Sequence, residues 1–324
     1  MVLDVGTVLK RLRDNVARTG LPVPASREDV TGWARGLGLR RDGEVLLYTG
    51  ALYQLLPRID ALARQLESLE RGKAGRALFR AAGRLGRLAG LAGLVLRPKQ
   101  GDVEYAGRVL RSIVGLLRAA GVEVSYDPEL DGYSGVLLYD LGLDDDFRAH
   151  AEKVARALQE RAPELVITVD PHTTHVLRKV YPRFFPWLKL RVRSYLEVLA
   201  DSADEILWEE GEAGVVTIHD PCFYARHLDL YREPRLLLEK AGYRVVNPRR
   251  WGRLTYCCGG PLESVSPGLS RRIAERRVAE LRETGAPVVV VMCPICLANL
   301  RRIGGVRVED ISVLLAGRVR EVGV

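Results

Sequence analysis

All five cysteines of the 324-residue chain fall within a span of 75 residues. They form a lone residue, an adjacent pair and a C-x2-C motif, with 34 residues in each of the two gaps: Cys222, Cys257, Cys258, Cys293 and Cys296. Thiolate is a soft ligand that suits iron-sulfur clusters, zinc and cuprous ion. Five thiolates can surround a polynuclear centre, whereas a single metal ion needs only four ligands. The spacing therefore predicts an iron-sulfur cluster.

Zinc is the main alternative, because Cys293 and Cys296 with two of the other three cysteines could make a tetrahedral site. In such a site one thiol would not bind the metal, and two adjacent cysteines would have to fit into one tetrahedron. Buried cysteines can also be plain small hydrophobic residues, but scattered core cysteines would not leave the other 249 residues (324 minus 75) without any. His219 and His227 flank Cys222 and are candidates to ligate metal or to donate hydrogen bonds to sulfur, although ordinary loop histidines are commoner.

Apolar runs alternate with amphipathic stretches along the chain, which is typical of βα units around mostly parallel sheets. The fold class predicted is α/β, with parallel sheets flanked by helices. The predicted strands are residues 44–48, 122–125, 136–139, 165–169, 215–219, 243–246 and 288–292. The predicted helices are residues 103–120, 144–161, 187–200 and 269–284. Cys222 and Cys293 each follow a strand, so both should lie at the carboxyl edge of a sheet, where open α/β folds bind ligands.

The same order of elements occurs twice, which indicates an internal duplication. The first half has the same succession of strand, helix and turn, but other residues stand at the cysteine positions: Ala51, Tyr133, Ser134, Asp170 and Thr173. The first repeat should therefore hold no iron-sulfur cluster. We predict two pseudo-symmetric domains, residues 1–186 and 187–324, with the proline-containing segment 181–186 as the linker.

One further segment of the first repeat contains residues able to do chemistry. His172 and His175 follow Asp170 and Pro171 where the second repeat has its C-x2-C motif. With Ser134 these residues could form a site for a hard metal ion or a substrate. The simpler interpretation is a helix that begins at Asp170 as its N-cap, with proline at its first position.

The pattern C-x34-C-C-G-x34-C-x2-C resembles the CCG cysteine-rich domain found in heterodisulfide reductases and in related iron-sulfur proteins, including those of glycolate-oxidising systems. The segments DNVARTGLPVPASREDVTGWARGLGL and EVLLYTGALYQLLP resemble the N-terminal part of those proteins, so the resemblance extends over nearly the whole chain. It implies that a complete repeat binds one 4Fe-4S cluster, in some members a non-cubane form. Its ligands here would be Cys222, Cys257, Cys258, Cys293 and Cys296.

The resemblance further implies an electron-transfer subunit of an oxidoreductase complex that acts on a disulfide, a thiol or a related substrate. Two departures bear on that function. The first repeat lacks its cysteines, and the chain has neither a ferredoxin-type cysteine run nor a nucleotide-binding GxGxxG motif after a strand. We therefore expect an electron-donating iron-sulfur or flavoprotein partner. The alternative is a cluster-binding or zinc-binding scaffold without redox turnover.

The formal charge of +8 is concentrated in one segment. Residues 71–101 contain eight basic and no acidic residues, which equals the net charge. Its basic residues recur at helical spacing, and this predicts a basic amphipathic helix, inserted in the first domain at about 71–100. We expect residues 71–99 to dock an acidic partner or an anionic membrane surface, or to pack on their own domain with a solvated arginine face. Because the charge is local, a nucleic-acid partner is not expected.

Composition places the chain among soluble globular proteins. The longest uncharged stretch, residues 284–300, is shorter than a membrane span, and the N-terminal residues lack the apolar core of a signal peptide. We therefore expect a cytoplasmic protein. The alternative is a protein in peripheral contact with the inner face of the membrane. Basic residues number 49, of which only seven are lysine, an arginine bias that suits a thermophilic source but also follows from high genomic GC content.

Overall fold

The computed structural model describes residues 5–71, 98–263 and 265–320. Its strands form two sheets in which all neighbouring strands run parallel. The first sheet contains, in spatial order, β1 (Val45–Tyr48), β2 (Leu165–Thr168) and β3 (Val192–Ser194). The second contains, in spatial order, β5 (Tyr243–Val245), β4 (Gly214–Ile218), β6 (Val288–Val291) and β7 (Arg307–Asp310). The predicted α/β class with parallel sheets is confirmed.

Helices flank both sheets. Within the described ranges the α-helices are Val5–Thr19, Arg27–Thr31, Leu52–Arg71, Gln100–Ala119, Val136–Asp140, Asp144–Arg161, Pro171–His175, Tyr181–Phe184, Tyr195–Asp201, Glu233–Lys240, Pro267–Arg282, Pro294–Ile303 and Ile311–Ala316. Shorter 3-10 and π-helical turns join some of them. Five predicted strands, at 44–48, 165–169, 215–219, 243–246 and 288–292, are confirmed to within one residue at each end. The predicted basic helix at 71–100 lies almost wholly outside the described residues.

Two predicted strands of the first half are wrong. Residues 136–139 lie in the helix Val136–Asp140, which begins after Gly135 in the left-handed conformation (φ 85°). A short apolar run cannot be assigned to strand or helix from periodicity alone. Here the turn at Gly135 starts a helix. Residues 122–125 form no named strand, although Ser125 makes an isolated parallel bridge to Leu46 of β1.

The segment predicted to link two domains contributes Tyr181 and Phe185 to a hydrophobic cluster of the first half. Tyr181 is fully buried and donates a hydrogen bond from its hydroxyl to the carbonyl oxygen of Ser134 at 3.0 Å. The predicted helix at 187–200 is also wrong over its first half, because β3 occupies 192–194. The helix begins only at Tyr195, behind a capping box formed by Ser194 and Glu197. The first sheet thus ends beyond residue 186, and the division into two domains remains a prediction.

The two halves repeat one arrangement of strands. β1, β2 and β3 are ordered in the first sheet as β4, β6 and β7 are in the second, and the Leu46–Ser125 bridge stands where β5 pairs with β4. Gly135 and Gly259 are both left-handed, with φ of 85° and 81°. The position of each cysteine can therefore be compared with its counterpart in the first half.

Buried contacts join the halves. One hydrophobic cluster contains Ile113 and Ile167 of the first half together with Ile218 and Ile311 of the second. Polar pairs cross the same boundary: the Tyr53 hydroxyl donates to Asp310 Oδ2 at 2.6 Å, and the hydroxyls of Ser194 and Tyr224 lie 2.8 Å apart. Arg302 pairs with Asp60 at 3.1 Å and with Glu263 at 3.0 Å.

Candidate metal centre

Cys222 and Cys293 lie where the chain leaves the carboxyl ends of two adjacent strands. β4 and β6 pair in parallel, and the His219 amide continues the ladder with a hydrogen bond to the Val290 carbonyl at 2.9 Å. Cys222 precedes the π-helical turn Phe223–His227, and Cys293 is the N-cap of the helix Pro294–Ile303, whose first turn contains Cys296. The predicted location at the sheet edge is confirmed.

The five cysteine side chains lie together. The pKa of each thiol is shifted by its neighbours, which follow one another in the order Cys222, Cys257, Cys258, Cys296 and Cys293. Cys258, Cys293 and Cys296 are buried, while Cys222 and Cys257 are partly exposed. One side of the group therefore faces the protein interior and the other is open to solvent.

The loop after the cysteine pair fits closely around the sulfur atoms. The Gly259 amide donates to Cys257 Sγ at 3.3 Å, and the Gly260 amide donates to Cys258 Sγ at 3.4 Å. A Cβ on Gly260 would lie 2.1 Å from Ile295 Cγ2, and one on Gly259 would lie 2.5 Å from the Ser270 carbonyl oxygen. Both positions therefore require glycine.

Contacts among the thiols lower the pKa of some of the cysteines and raise the pKa of others. The hydrogen bond from Cys222, with others from Cys258 and the Gly259 amide, lowers the pKa of Cys257. The same hydrogen bonds raise the pKa of Cys222 and of Cys258, which act as donors. Burial raises the pKa of Cys293, but the side chain and amide of Cys296 and the charge of His172 together outweigh burial and lower it. Thiolate, the form that binds metal, is thus favoured at two of the five sulfur atoms.

His219 lies against the sulfur group, as its place beside Cys222 suggests. One ring nitrogen lies within 4.8 Å of the Cys258 and Cys296 sulfur atoms. Its Nδ1 accepts a hydrogen bond from Arg277 Nε at 3.0 Å, which assigns the proton of a neutral ring to Nε2. Burial, and then the charge of Arg277, lower the pKa of His219 to about 3 and keep the ring neutral. Nε2 has no protein partner within the described residues and can donate to sulfur.

His227, the second flanking histidine, is exposed and does not join the group. Its ring centroid lies 5.0 Å from those of both His175 and Phe223. His172 is predicted from the sequence only for a site in the first repeat, but its ring packs on Phe223, the residue after Cys222, with the centroids 4.4 Å apart. Burial is the largest influence and would lower the pKa of His172, but Cys293 together with the charges of Asp170 and Asp140 outweighs burial and raises this pKa to about 9.

Two further residues support the site, and nothing in the sequence indicates that they lie near the cysteines. Arg277 lies in the middle of an amphipathic helix, where arginine normally faces solvent, yet it is fully buried and also donates to the Arg250 carbonyl at 3.0 Å. The Asn299 amide donates to the Cys258 carbonyl at 2.6 Å. Only the three-dimensional packing brings either residue to the cysteines.

At the equivalent position of the first half, the side chains carry oxygen atoms instead of sulfur atoms. Four buried side chains there have an oxygen atom without a hydrogen-bond partner inside the described ranges: Tyr48, Ser134, Asp170 and Thr173. The other carboxyl oxygen of Asp170 accepts the amides of His172 at 2.9 Å and Thr173 at 3.0 Å, so the interpretation as a helix N-cap is confirmed. A Cβ on Gly50 would lie 2.0 Å from Thr173 Oγ1, which shows how closely these residues pack.

The donor set of the second half fits an iron-sulfur cluster better than a single ion. Five thiols lie together, two backbone amides donate to sulfur, and His219 Nε2 is available as a further donor. Hydrogen bonds to sulfur are a general feature of cluster sites. A tetrahedral zinc ion would use only four of the five thiols.

Comparison with known proteins agrees with this chemistry. The chain is 32% identical over 225 residues to a protein of Chromohalobacter salexigens described as a probable membrane-anchored ferredoxin, which covers 64% of this chain and 33% of that protein. It is 33% identical over 139 residues to one of the subunits of the heterodisulfide reductase of Methanosarcina acetivorans, covering 40% and 34%. It is 28% identical over 204 residues to the EtfAB:quinone oxidoreductase of Syntrophomonas wolfei, covering 60% and 28%.

The chain thus matches about a third of the length of these relatives. No helix within residues 5–71, 98–263 and 265–320 is long and apolar enough to cross a membrane. Residues 216–301, which include all five cysteines, match the cysteine-rich domain family named CCG. The relatives of the chain thus include a heterodisulfide reductase subunit and a probable iron-sulfur-binding oxidoreductase of Bacillus subtilis.

Proposed function

We propose that the protein is an electron-transfer subunit of an oxidoreductase complex of the heterodisulfide reductase type. In this proposal one 4Fe-4S cluster is held by Cys222, Cys257, Cys258, Cys293 and Cys296. The observation that carries it is the grouping of the five cysteines, in which the sulfur atoms of Cys257 and Cys258 accept backbone amides and Cys222 and Cys257 are partly exposed. When bound, the cluster supplies one-electron redox chemistry at the carboxyl edge of the second sheet.

The protein's own residues would hold the cluster and set its surroundings. Gly259 and Gly260 bring their amides to the sulfur atoms of the cysteine pair. Arg277 orients the ring of His219, so that Nε2 can donate to sulfur. Partly exposed Cys222 and Cys257 lie on the side from which an electron donor or a disulfide or thiol substrate could approach.

Partner proteins follow from the chemistry of a single one-electron centre. Reduction of a disulfide takes two electrons, so a second carrier is needed, and an iron-sulfur protein or a flavoprotein would supply it. One relative is itself named as part of a heterodisulfide reductase with more than one kind of chain. The excess of positive charge at 71–99 is the candidate surface for an acidic partner, or for peripheral contact with an anionic membrane on the cytoplasmic side.

A scaffold without redox turnover, holding zinc or a cluster, is the second candidate. The close approach of His219 to Cys258 and Cys296 is the observation that favours it, since these three ligand atoms lie within 4.8 Å of one another. Histidine and cysteine together are common zinc ligands. This candidate leaves Cys222 and Cys257 without a defined role.

An EPR-monitored redox titration of anaerobically purified protein separates the two candidates. We expect a brown protein with a paramagnetic signal that appears and disappears reversibly and fits a one-electron Nernst curve. We also expect no reduction of disulfides by nicotinamide cofactors without a partner protein, because the chain has no GxGxxG motif after a strand. A colourless or redox-silent protein would support the scaffold, and unaided nicotinamide-dependent turnover would refute the electron-transfer proposal.

A further inference from the structure

The turn that leads to Cys257 exposes apolar side chains beside the cysteine group. Leu254 is 75% exposed, more than any other large hydrophobic residue of the described ranges. It ends the 3-10 turn Gly252–Leu254, and its amide donates to the carbonyl of Trp251, whose own side chain is also exposed. Leu254 lies three positions before partly exposed Cys257, so their Cα atoms are at most about 11 Å apart.

This turn is held in place by residues on both sides of Cys222. The Gly252 amide donates to Asp220 Oδ2 at 2.7 Å. Arg226 Nε donates to the carbonyl of Arg253 at 3.2 Å. Because Asp220 and Arg226 lie just before and just after Cys222, these contacts fix the turn relative to both partly exposed cysteines. Leu254 is therefore exposed on an ordered turn.

The aromatic side chains of the turn are stacked with arginines. The Arg235 guanidinium lies 4.8 Å from the centre of the Trp251 ring. The Tyr256 ring, directly before Cys257, has the guanidinium of Arg250 at 4.3 Å and that of Arg276 at 5.5 Å. Tryptophan, tyrosine and arginine are the residues enriched at the centres of protein interfaces. The surface beside the cysteines has this composition.

Positive charge is in excess around the turn. Residues 249–256 contain three arginines and no acidic residue. Arg253 pairs with Asp229 at 2.6 Å, but exposed Arg226 and Arg276 contact the turn through carbonyl oxygens and a ring instead of a carboxylate. A protein that covers Leu254 would therefore bind best if it surrounded its own apolar contact with acidic residues.

We propose that the turn at 249–256 is the docking surface for an acidic electron-carrier protein, with Trp251 and Leu254 at its centre and Arg226 and Arg276 at its rim. This inference rests on the proposed iron-sulfur function, and it places the electron donor on a surface other than residues 71–99. Each encounter passes one electron from the reduced carrier to the iron-sulfur centre. The carrier is oxidised by one electron, and no bond or proton is exchanged.

Stopped-flow reduction by a purified two-cluster bacterial ferredoxin, a small acidic iron-sulfur protein, tests this surface. Leu254→Ser removes the apolar contact, Leu254→Asp also adds a negative charge, and Leu207→Asp is the matched control. Leu207 is 56% exposed and precedes β4, whereas Cys222 follows that strand. Iron per chain, and reduction by photoreduced deazaflavin, a small molecule that needs no docking surface, are measured for every variant.

We expect full iron and unchanged reduction by deazaflavin in all variants. The second-order rate constant with ferredoxin should fall about threefold in Leu254→Ser and about tenfold in Leu254→Asp, and should stay unchanged in Leu207→Asp. In the unaltered protein it should fall as salt is added. If Leu254→Asp binds less iron, the comparison of Leu254→Ser with the unaltered protein decides in the same way.

Equal rate constants in the Leu254 variants and in Leu207→Asp would overturn the proposal. So would an iron-replete unaltered protein that ferredoxin does not reduce, or a rate constant that salt does not change. Absence of a cluster from the unaltered protein would instead refute the proposed function.

Discussion

Replacing Cys257 or Cys293 by serine is expected to remove most of the iron from the protein. Each residue lies within the chain of thiol contacts, and a hydroxyl exchanges a soft ligand for a hard group that hardly ionises. Cys293 is 1% exposed, so neither water nor another side chain can easily take its place. Iron and acid-labile sulfide per chain, measured after anaerobic purification, report the loss.

Ser134→Ala is the matched control, because Ser134 occupies in the first half the place of Cys258 in the second. Its hydroxyl is buried and has no partner in the described part of the chain, so its removal should leave the iron content unchanged. Equal loss of iron from the serine variants and from Ser134→Ala would contradict the assignment of the site to the second half.

Arg235→Ala is expected to lower the free energy of unfolding by about 3–5 kcal/mol, the usual cost of leaving one partner of a buried ion pair alone. Arg235 binds both carboxyl oxygens of Asp220, at 2.8 and 2.9 Å, and the Asp220 side chain is 1% exposed. Asp220 also accepts the Gly252 amide at 2.7 Å, and its carbonyl accepts the Thr255 hydroxyl at 2.9 Å. The segments that lead to Cys222 and Cys257 are thus joined through Asp220, so the variant should also bind less iron.

Arg40→Ala serves as the control for the loss of an ion pair at the surface. Arg40 lies 3.3 Å from Asp42, and both side chains are more than three quarters exposed. Solvent screens such a pair, so its removal should leave the denaturation midpoint nearly unchanged. Chemical denaturation followed by circular dichroism provides the comparison. Equal stability of the Arg235→Ala and Arg40→Ala variants would show that the Asp220 pair does not hold the site together.

The sequence predicts most of what surrounds the cysteines, for physical reasons that are local. Val288 to Val291 are β-branched, and the two strands that lead to Cys222 and Cys293 end where the sequence predicts. The glycines after the cysteine pair indicate a close approach of the backbone, and the structure shows it. The helix N-cap at Asp170 follows equally from neighbouring residues.

What the sequence does not predict depends on contacts between distant residues. His172 and Phe223 are far apart in the sequence, and nothing near either one indicates that their rings pack with centroids 4.4 Å apart beside Cys222. Arg277 looks like a solvent-facing helix residue until the packing places it against His219. The apolar run at 136–139 becomes a helix because of the left-handed turn at Gly135, and β3 forms only because it pairs with β2.

Quantification of iron, acid-labile sulfide and zinc in anaerobically purified protein tests the central proposal most directly. The grouping of five thiols at one sheet edge predicts one 4Fe-4S cluster, that is, about four iron and four sulfide per chain with no bound zinc. Stoichiometric zinc without acid-labile sulfide would contradict it.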